Sequence, residues 1–241
     1  WGLWEVPEGV RRHAFTPLWL GYIGLVNAWT RRRTGYSALT ERPGAFLALF
    51  LVSAGFWWLF EYLNLFVRNW SYLGTAGHTG WGYFWAATPA FATVLPAVLS
   101  TRDLLASFPR LSAGLERAWS PDWLRSEAVP WVCLAGGMAG LIALGWRGYW
   151  FFPLVWVAPP LVIWAVQGLA GRPSLLDGLP RGDWRPLWLG ALAGLVCGFF
   201  WELWNWGSLA RWEYAIPHLS GFKVFAMPVL GYAGYLPFGI T

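Results

Sequence analysis

Residues 45–66 read AFLALFLVSAGFWWLFEYLNLF, a run in which Glu61 is the only charged side chain. A helix needs about 20 consecutive apolar residues to cross the hydrocarbon core of a bilayer, so this run is long enough to span a membrane. The run does not alternate apolar and polar residues with a period of two, as the strand of a transmembrane barrel does. It therefore predicts a transmembrane helix.

Six further stretches are of comparable length and apolar character. Pro and Gly inside them are tolerated in a membrane because neighbouring helices satisfy the freed backbone groups. We therefore predict an all-α integral membrane protein. Its seven transmembrane helices are expected at Ala14–Thr30, Ala45–Phe66, Trp81–Ser100, Ala128–Trp146, Tyr149–Gly168, Leu187–Trp206 and Phe222–Ile240.

The composition supports the same class. Hydrophobic residues make up 57% of the chain and charged residues only 12%, against roughly 25% charged in an ordinary soluble domain. Many of the 22 tryptophans stand at the ends of apolar runs, where amphipathic rings anchor at the membrane–water interface. A soluble enzyme, a disordered chain and a nucleic-acid-binding protein are excluded.

The placement of basic residues predicts the orientation in the membrane. Eleven of the 17 basic residues lie in the loops after the first, third and fifth spans, among them Arg31–Arg33. By the positive-inside rule these loops are cytoplasmic, which places His78 and His218 in periplasmic loops. Residues 101–127 mix both charges with large apolar side chains and are predicted to form an interfacial amphipathic helix. The near-exclusive use of Arg over Lys is typical of a GC-rich bacterial genome, so we expect the bacterial inner membrane.

The second half of the chain repeats the first in order. Gly9–Leu18 matches Gly145–Leu154 without a gap, and Glu61-x-x-Asn64 matches Glu202-x-x-Asn205. We predict two tandem repeats, residues 1–127 and 128–241, each of four helices with the same orientation in the membrane. The first helix of the second repeat, Ala128–Trp146, has no counterpart in the first half, so we expect the first helix of the first repeat to be missing or truncated.

The repeated polar residues are the candidates for a functional site. Glu61 and Glu202 are the acids within the predicted spans, where a carboxylate is costly and indicates function, and each shares a helical face with an Asn three residues later. Two hypotheses remain open: a polar clamp onto Arg68, Arg211 or a backbone amide, and a site for the head group of a ligand. The candidate residues are Glu61, Asn64, Arg68, Trp70, Tyr72 and His78 in the first half, and Glu202, Asn205, Arg211, Trp212, Tyr214 and His218 in the second.

Catalytic and metal-binding patterns are not found in the sequence. Asn stands where a helix-bundle metal site has the His of Glu-x-x-His, and the chain has no nucleophile elbow, phosphate loop or paired-Cys motif. We therefore predict no catalytic residue, no metal and no intrinsic cofactor. The glycines at positions 190, 194 and 198 indicate a face for close helix packing.

One block of the second half carries a family resemblance. Trp201–Asn205, Arg211–Tyr214 and Met227–Phe238 follow the pattern W-E-x-x-N, R-W-x-Y and M-P-x-x-G-Y-x-G-Y-x-P-F. With this block the chain resembles a family of uncharacterised bacterial polytopic membrane proteins over nearly its whole length. It departs from that family at Ala226, where a Glu is expected, and the resemblance implies no function.

A fainter resemblance is to the membrane-embedded lycopene cyclases. These proteins are also built from small helical repeats, with an acidic residue in a span, a Trp-x-Tyr loop and a Pro followed by paired acids. Here Pro89 is followed by Ala90–Phe91 and Pro228 by Val229–Leu230. The resemblance therefore does not extend to carotenoid cyclisation, although it is compatible with binding a polyene.

Taken together, these patterns predict a non-catalytic accessory or structural subunit of a bacterial inner-membrane complex, photosynthetic or respiratory. Other membrane subunits and lipids are the expected partners, nucleic acid is not, and lipid, quinone or carotenoid are the candidate bound molecules. The alternative is a membrane enzyme or carrier that acts on an isoprenoid or lipid at the outer-face Glu/Asn site. Identification of what co-purifies with the protein would discriminate between them.

Overall fold

The computed structural model describes residues 7–74, 79–219 and 221–241, and this part of the chain is mainly helical. The all-α class is confirmed, with two short antiparallel ribbons added to the helices. The helices are α1 (Glu8–His13), α2 (Phe15–Thr34), α3 (Ala38–Glu41), α4 (Pro43–Val67), α5 (Gly80–Ala92), α6 (Val94–Ala106), α7 (Val129–Phe151), α8 (Leu154–Leu169), α9 (Arg185–Gly207) and α10 (Tyr235–Gly239). The strands are β1 (Trp70–Leu73), β2 (Arg211–Tyr214), β3 (Lys223–Val224) and β4 (Met227–Pro228).

Four helical segments of the described chain are long and apolar enough to cross a membrane. They are α4, the combined length of α5 and α6, α7 and α9. Helices α2 and α8 are not among these candidate spans. The last turn of α2 contains three arginines, and α8 has only 16 residues, with two prolines inside it. A membrane protein is thus supported by four candidate spans, and the prediction of seven spanning helices is not confirmed.

The predicted span Phe222–Ile240 is wrong as a continuous helix. The segment forms the β3–β4 hairpin, then a 3₁₀ turn over Val229–Gly234 and finally the five-residue α10. Pro228 and Pro237 lack the backbone N–H that a helix interior needs, and the intervening glycines weaken helical propensity. An apolar composition alone did not reveal these interruptions.

The loop 101–127 is not one amphipathic helix either. Its first residues continue α6 to Ala106, and three short 3₁₀ turns follow at Pro109–Leu111, Leu115–Arg117 and Asp122–Arg125. A proline begins the first turn and Gly114, with φ of +82°, precedes the second. Such breaks prevent the helical period from continuing.

The junction of α5 and α6 is a helix break closed by a side chain from α4. The Ser53 hydroxyl donates to the carbonyl oxygen of Phe91 at 2.7 Å and accepts the Leu95 N–H at 3.0 Å. In a continuous helix the Leu95 N–H would bond the Phe91 carbonyl oxygen directly. Here the Ser53 hydroxyl lies between these two backbone groups. It supplies both backbone groups with partners in a buried position, as a membrane interior requires.

The glycine face of α9 accommodates the C-terminal segment. A Cβ at position 194 would meet the Tyr235 carbonyl oxygen and lie 2.7 Å from the Gly239 Cα, and a Cβ at Gly190 would lie 2.8 Å from the Gly239 carbonyl oxygen. Only glycine therefore permits this backbone approach. The predicted packing role is realised, with α10 as the partner.

Contacts bring the three arginine-rich loops together at one end of the molecule. Arg33 donates to the Ser107 hydroxyl at 2.8 Å and lies over the Phe108 ring. The Trp184 indole donates to the Trp119 carbonyl oxygen at 2.7 Å. The first loop therefore contacts the loop after α6, and that loop contacts the one that precedes α9.

Candidate functional site

The repeated Trp-x-Tyr sequences form a small antiparallel ribbon, called here the aromatic ribbon (residues 70–73 and 211–214). Trp70 pairs with Tyr214 and Tyr72 with Trp212. Alternate side chains of a strand share a face, so all four aromatic side chains lie on one face of the ribbon. Because β1 follows α4 and β2 follows α9, both helices end at the same end of the molecule.

The two repeated asparagines hold the backbone of the aromatic ribbon. The Asn64 amide donates to the Trp70 carbonyl oxygen at 2.8 Å and accepts the N–H of Asn69 at 2.8 Å and of Trp70 at 3.3 Å. The Asn205 amide likewise donates to the Trp212 carbonyl oxygen at 2.9 Å and accepts its N–H at 2.8 Å. Each side-chain amide therefore forms the hydrogen bonds to the strand backbone that a neighbouring strand would otherwise form.

Glu61 holds the side chains of the same strand. Its Oε1 accepts the Tyr72 hydroxyl at 2.6 Å, the Trp57 indole N–H at 3.0 Å and the Trp70 indole N–H at 3.1 Å. The carboxylate lies one helical turn before Asn64, so the two side chains reach neighbouring parts of β1. The Glu-x-x-Asn spacing thus docks a strand onto the end of a helix.

Glu202 does the same for β2 with a different set of donors. Its Oε1 accepts the hydroxyls of Tyr214 at 2.6 Å and Tyr235 at 2.7 Å, and the Trp212 indole donates to the Tyr214 hydroxyl at 2.6 Å. Glu202 is completely buried. Within the described chain its second oxygen, Oε2, accepts no hydrogen bond.

The difference between the two carboxylates has a simple steric cause. Trp57 stands four residues before Glu61, whereas the residue four before Glu202 is Gly198. A Cβ at Gly198 would meet the Tyr235 ring, with Cε2 at 2.6 Å. The missing side chain therefore leaves room for Tyr235, whose hydroxyl takes the place of the Trp57 indole as donor.

The ribbon tyrosines are protonated, and burial makes their ionisation still less favourable. Burial raises the pKa of Tyr72 and of Tyr214 well above the ordinary value of 10, and the carboxylates of Glu61 and Glu202 raise it further. Both phenols are therefore neutral at physiological pH. As neutral groups they donate to the carboxylates.

The predicted arginine partners are wrong. Arg211 pairs with Glu213 at 3.6 Å, and Arg68 occupies the left-handed position that ends α4. The structure thus provides aromatic donors to Glu61 and Glu202 where the sequence suggested arginines or backbone amides.

His218 lies apart from this arrangement. His218 is exposed and flanked by the rings of Tyr149 and Trp150, with centroids 5.3 and 5.7 Å away, and His78 lies outside the described residues. Across residues 7–74, 79–219 and 221–241, no group of three or more His, Cys, Asp or Glu side chains has a metal-site arrangement.

The aromatic face of the ribbon borders a cavity of about 370 Å³, called here the central cavity. Tyr72, Tyr214 and Tyr235 line it together with five indole rings, while the Glu61 and Glu202 side chains lie outside the lining. The indole rings are those of Trp57, Trp70, Trp156, Trp201 and Trp212. Small residues of α5 and of the 3₁₀ turn complete the wall, namely Ala86, Ala87, Ala90, Gly231 and Gly234.

Sequence reasoning missed several residues of this site. Trp57 is four residues from Glu61 on the same helical face, a spacing that could have identified it. Asn69 precedes the Trp-x-Tyr sequence directly. Tyr235 belongs to the Met227–Phe238 block that carries the family resemblance but was not a candidate site residue, and Trp156 is distant in sequence from the motifs.

No family model, curated protein or solved structure matches this chain.

Proposed function

We propose that the protein binds an apolar, π-rich small molecule of the isoprenoid or polyene class in the central cavity. The observation that carries this proposal is the cavity itself, at about 370 Å³ and with aromatic walls. Ligand sites in proteins typically measure about 300–1,000 Å³ and are mostly apolar with a few fixed polar groups. The central cavity has that size and that lining.

The ring arrangement favours an unsaturated ligand. Trp156 stacks on Trp70 with centroids 5.8 Å apart and an interplanar angle of 26°, and Trp201 stacks on Tyr235 at 5.8 Å and 26°. Contact between two π-systems is worth about 0.5–1.5 kcal/mol beyond the burial of their area. A polyene presents such a surface along its length, whereas a saturated acyl chain does not.

The hydrogen bonds described above give the carboxylates a positioning role in this proposal. Glu61 and Glu202 each hold cavity-lining donors through Oε1. A ligand site built from prealigned rings loses less side-chain entropy on binding. The proposed activity is therefore binding or carrying the molecule, with no residue assigned to catalysis.

Small residues on one side of the cavity suggest where the ligand enters. Ala86 and Pro89 of α5 are exposed and also line the cavity. Gly231 and Gly234 of the 3₁₀ turn also line the cavity. We propose lateral entry from the bilayer between α5 and the 3₁₀ turn.

Filling the cavity tests the proposal. Ala87→Phe adds a ring at the cavity wall and should lower polyene binding at least tenfold, measured by quenching of tryptophan fluorescence in detergent. Ala135→Phe is the matched control, since Ala135 is exposed on α7 and does not line the cavity. If both variants bind like the wild type, the central cavity is not the binding site.

The architecture around the site supports a finer proposal. Equivalent strands pair antiparallel and equivalent Glu/Asn pairs hold them, which is the pattern expected of two parallel repeats about a local twofold axis. We propose this repeat organisation. The arginine-rich end is proposed to face the cytoplasm and the aromatic ribbon the periplasm of a bacterial inner membrane.

Membership of a photosynthetic or respiratory complex stays a prediction, and purification from native membranes tests it. A species that always runs alone at monomer size in mild detergent would contradict it. Ligand binding in the central cavity is compatible with either result.

A further inference from the structure

Asn69, a residue that lines the central cavity, carries a side-chain oxygen whose hydrogen-bonding capacity the described protein leaves unused. Asn69 lines the cavity and its side chain is buried, with 2% exposure. Its Oδ1 accepts no hydrogen bond from the described residues. Its backbone is fixed on both sides, since its N–H binds the Asn64 Oδ1 and its carbonyl oxygen accepts the Ala215 N–H at 2.8 Å.

A buried acceptor without a donor costs free energy, and native proteins leave few of them. The fixed backbone prevents Asn69 from withdrawing toward solvent. A donor on a bound molecule would remove this cost. The amide of Asn69 is therefore suited to recognise a hydrogen-bond donor at one end of an apolar ligand.

The charges near Asn69 discriminate between head groups. Arg12 and His13 of α1 also line the central cavity. Arg12 Nη2 lies 3.0 Å from Glu8 Oε1, and both side chains are exposed, so this charge is paired with a carboxylate and screened by solvent. A phosphate or diphosphate head group is bound best by arginines that have no other acidic partner and can form two parallel hydrogen bonds with it. The residues near Asn69 provide little net positive charge for such a head group.

We propose that the ligand is a neutral alcohol, an isoprenoid or polyene whose terminal hydroxyl donates to Asn69 Oδ1 while its hydrocarbon part lies among the indole rings. This inference rests on the proposed binding function and adds the head-group class to it. Asn69 is the specificity-determining residue in this arrangement.

Three probes that share one polyene test the head group: all-trans-retinol, its methyl ether and its phosphate. The ether lacks the donor, so we expect retinol to bind the purified protein about tenfold more tightly than the ether, the ratio for loss of one buried hydrogen bond. Retinyl phosphate should bind no better than retinol. Affinities follow from quenching of tryptophan fluorescence.

A variant pair assigns the effect to Asn69. Asn69→Leu keeps a similar volume without the amide, so it should weaken retinol to the level of the ether and leave ether binding unchanged. Ser71→Ala is the control, because Ser71 is exposed on the ribbon and does not line the cavity. Should Asn69→Leu fail to fold, the comparison of retinol with its ether on the wild-type protein still decides.

The outcomes separate this inference from the proposed function. Equal affinity for retinol and its ether, or tightest binding of the phosphate, would overturn the alcohol head while leaving polyene binding intact. An alcohol preference that persists in Asn69→Leu would remove the role of Asn69. Binding of none of the three probes would instead contradict the proposed function itself.

Discussion

At the scale of single residues, the repeated Glu and Asn bind different parts of the same strand. Asn64 binds backbone groups of β1 and Glu61 binds side chains of the same strand. A carboxylate was expected to find an arginine, yet indole and phenol donors satisfy it at lower cost in an apolar setting. These donors are neutral and require no second buried charge.

Substitutions at Glu61 test this division. Glu61→Gln keeps an oxygen that can accept the three donors, so we expect the free energy of unfolding to fall by less than about 1 kcal/mol. Glu61→Ala leaves the Tyr72 hydroxyl and two indole N–H groups without their partner, and should cost about 2–3 kcal/mol. Thermal unfolding in detergent measures both. If the Gln variant is as unstable as the Ala variant, the carboxylate charge matters more than the acceptor oxygen.

At the scale of elements, the glycines of α9 decide how the C-terminal segment packs. Gly194 permits the close approach of α10, and Gly198 permits the Tyr235 ring to reach Glu202. The α9 helix could not combine these contacts with ordinary side chains at both positions. The short α10 is therefore held by backbone proximity more than by its own helical propensity.

Gly194→Ala should destabilise the protein by about 1–3 kcal/mol, because the added methyl group meets backbone atoms that cannot rotate away. Gly136→Ala is the matched control, since a Cβ there has no neighbour within 4 Å. The comparison uses thermal unfolding in one detergent. Equal stability of the two variants would mean that α10 does not pack on α9 as described.

At the scale of the whole molecule, the two ends differ in chemistry. Arginine-rich loops contact one another at one end, and the aromatic ribbon joins the ends of α4 and α9 at the other. A cytoplasmic excess of arginine would orient the ribbon toward the periplasm. The ligand would then reach the central cavity from the outer half of the bilayer.

Cysteine labelling of intact cells tests this orientation. In a background with Cys133 replaced, His218→Cys should react with a membrane-impermeant maleimide, whereas Arg32→Cys should react only after permeabilisation. Both side chains are exposed, so accessibility within the protein does not separate them. Labelling of position 32 alone in intact cells would reverse the orientation.

Local patterns in the sequence were enough to predict the helical membrane class and the glycine packing face. They also identified the Glu-x-x-Asn and Trp-x-Tyr motifs. Run length and helical spacing act over a few residues, so they can be recognised without the fold. The continuous helix at Phe222–Ile240 was predicted from the length of the apolar run, but the prolines and glycines of this segment interrupt the helix. Apolar composition is shared by helices and by interrupted segments buried against them.

Only the tertiary structure decided which groups satisfy the carboxylates and where the cavity lies. Tyr235 is 33 residues from Glu202, and it reaches the carboxylate because Gly198 leaves space on α9. The unpartnered oxygen of Asn69 is likewise visible only when all surrounding donors are in place. Hydrogen bonds require atoms within about 3 Å of each other, and such proximity between distant residues arises from packing, which no local pattern in the sequence encodes.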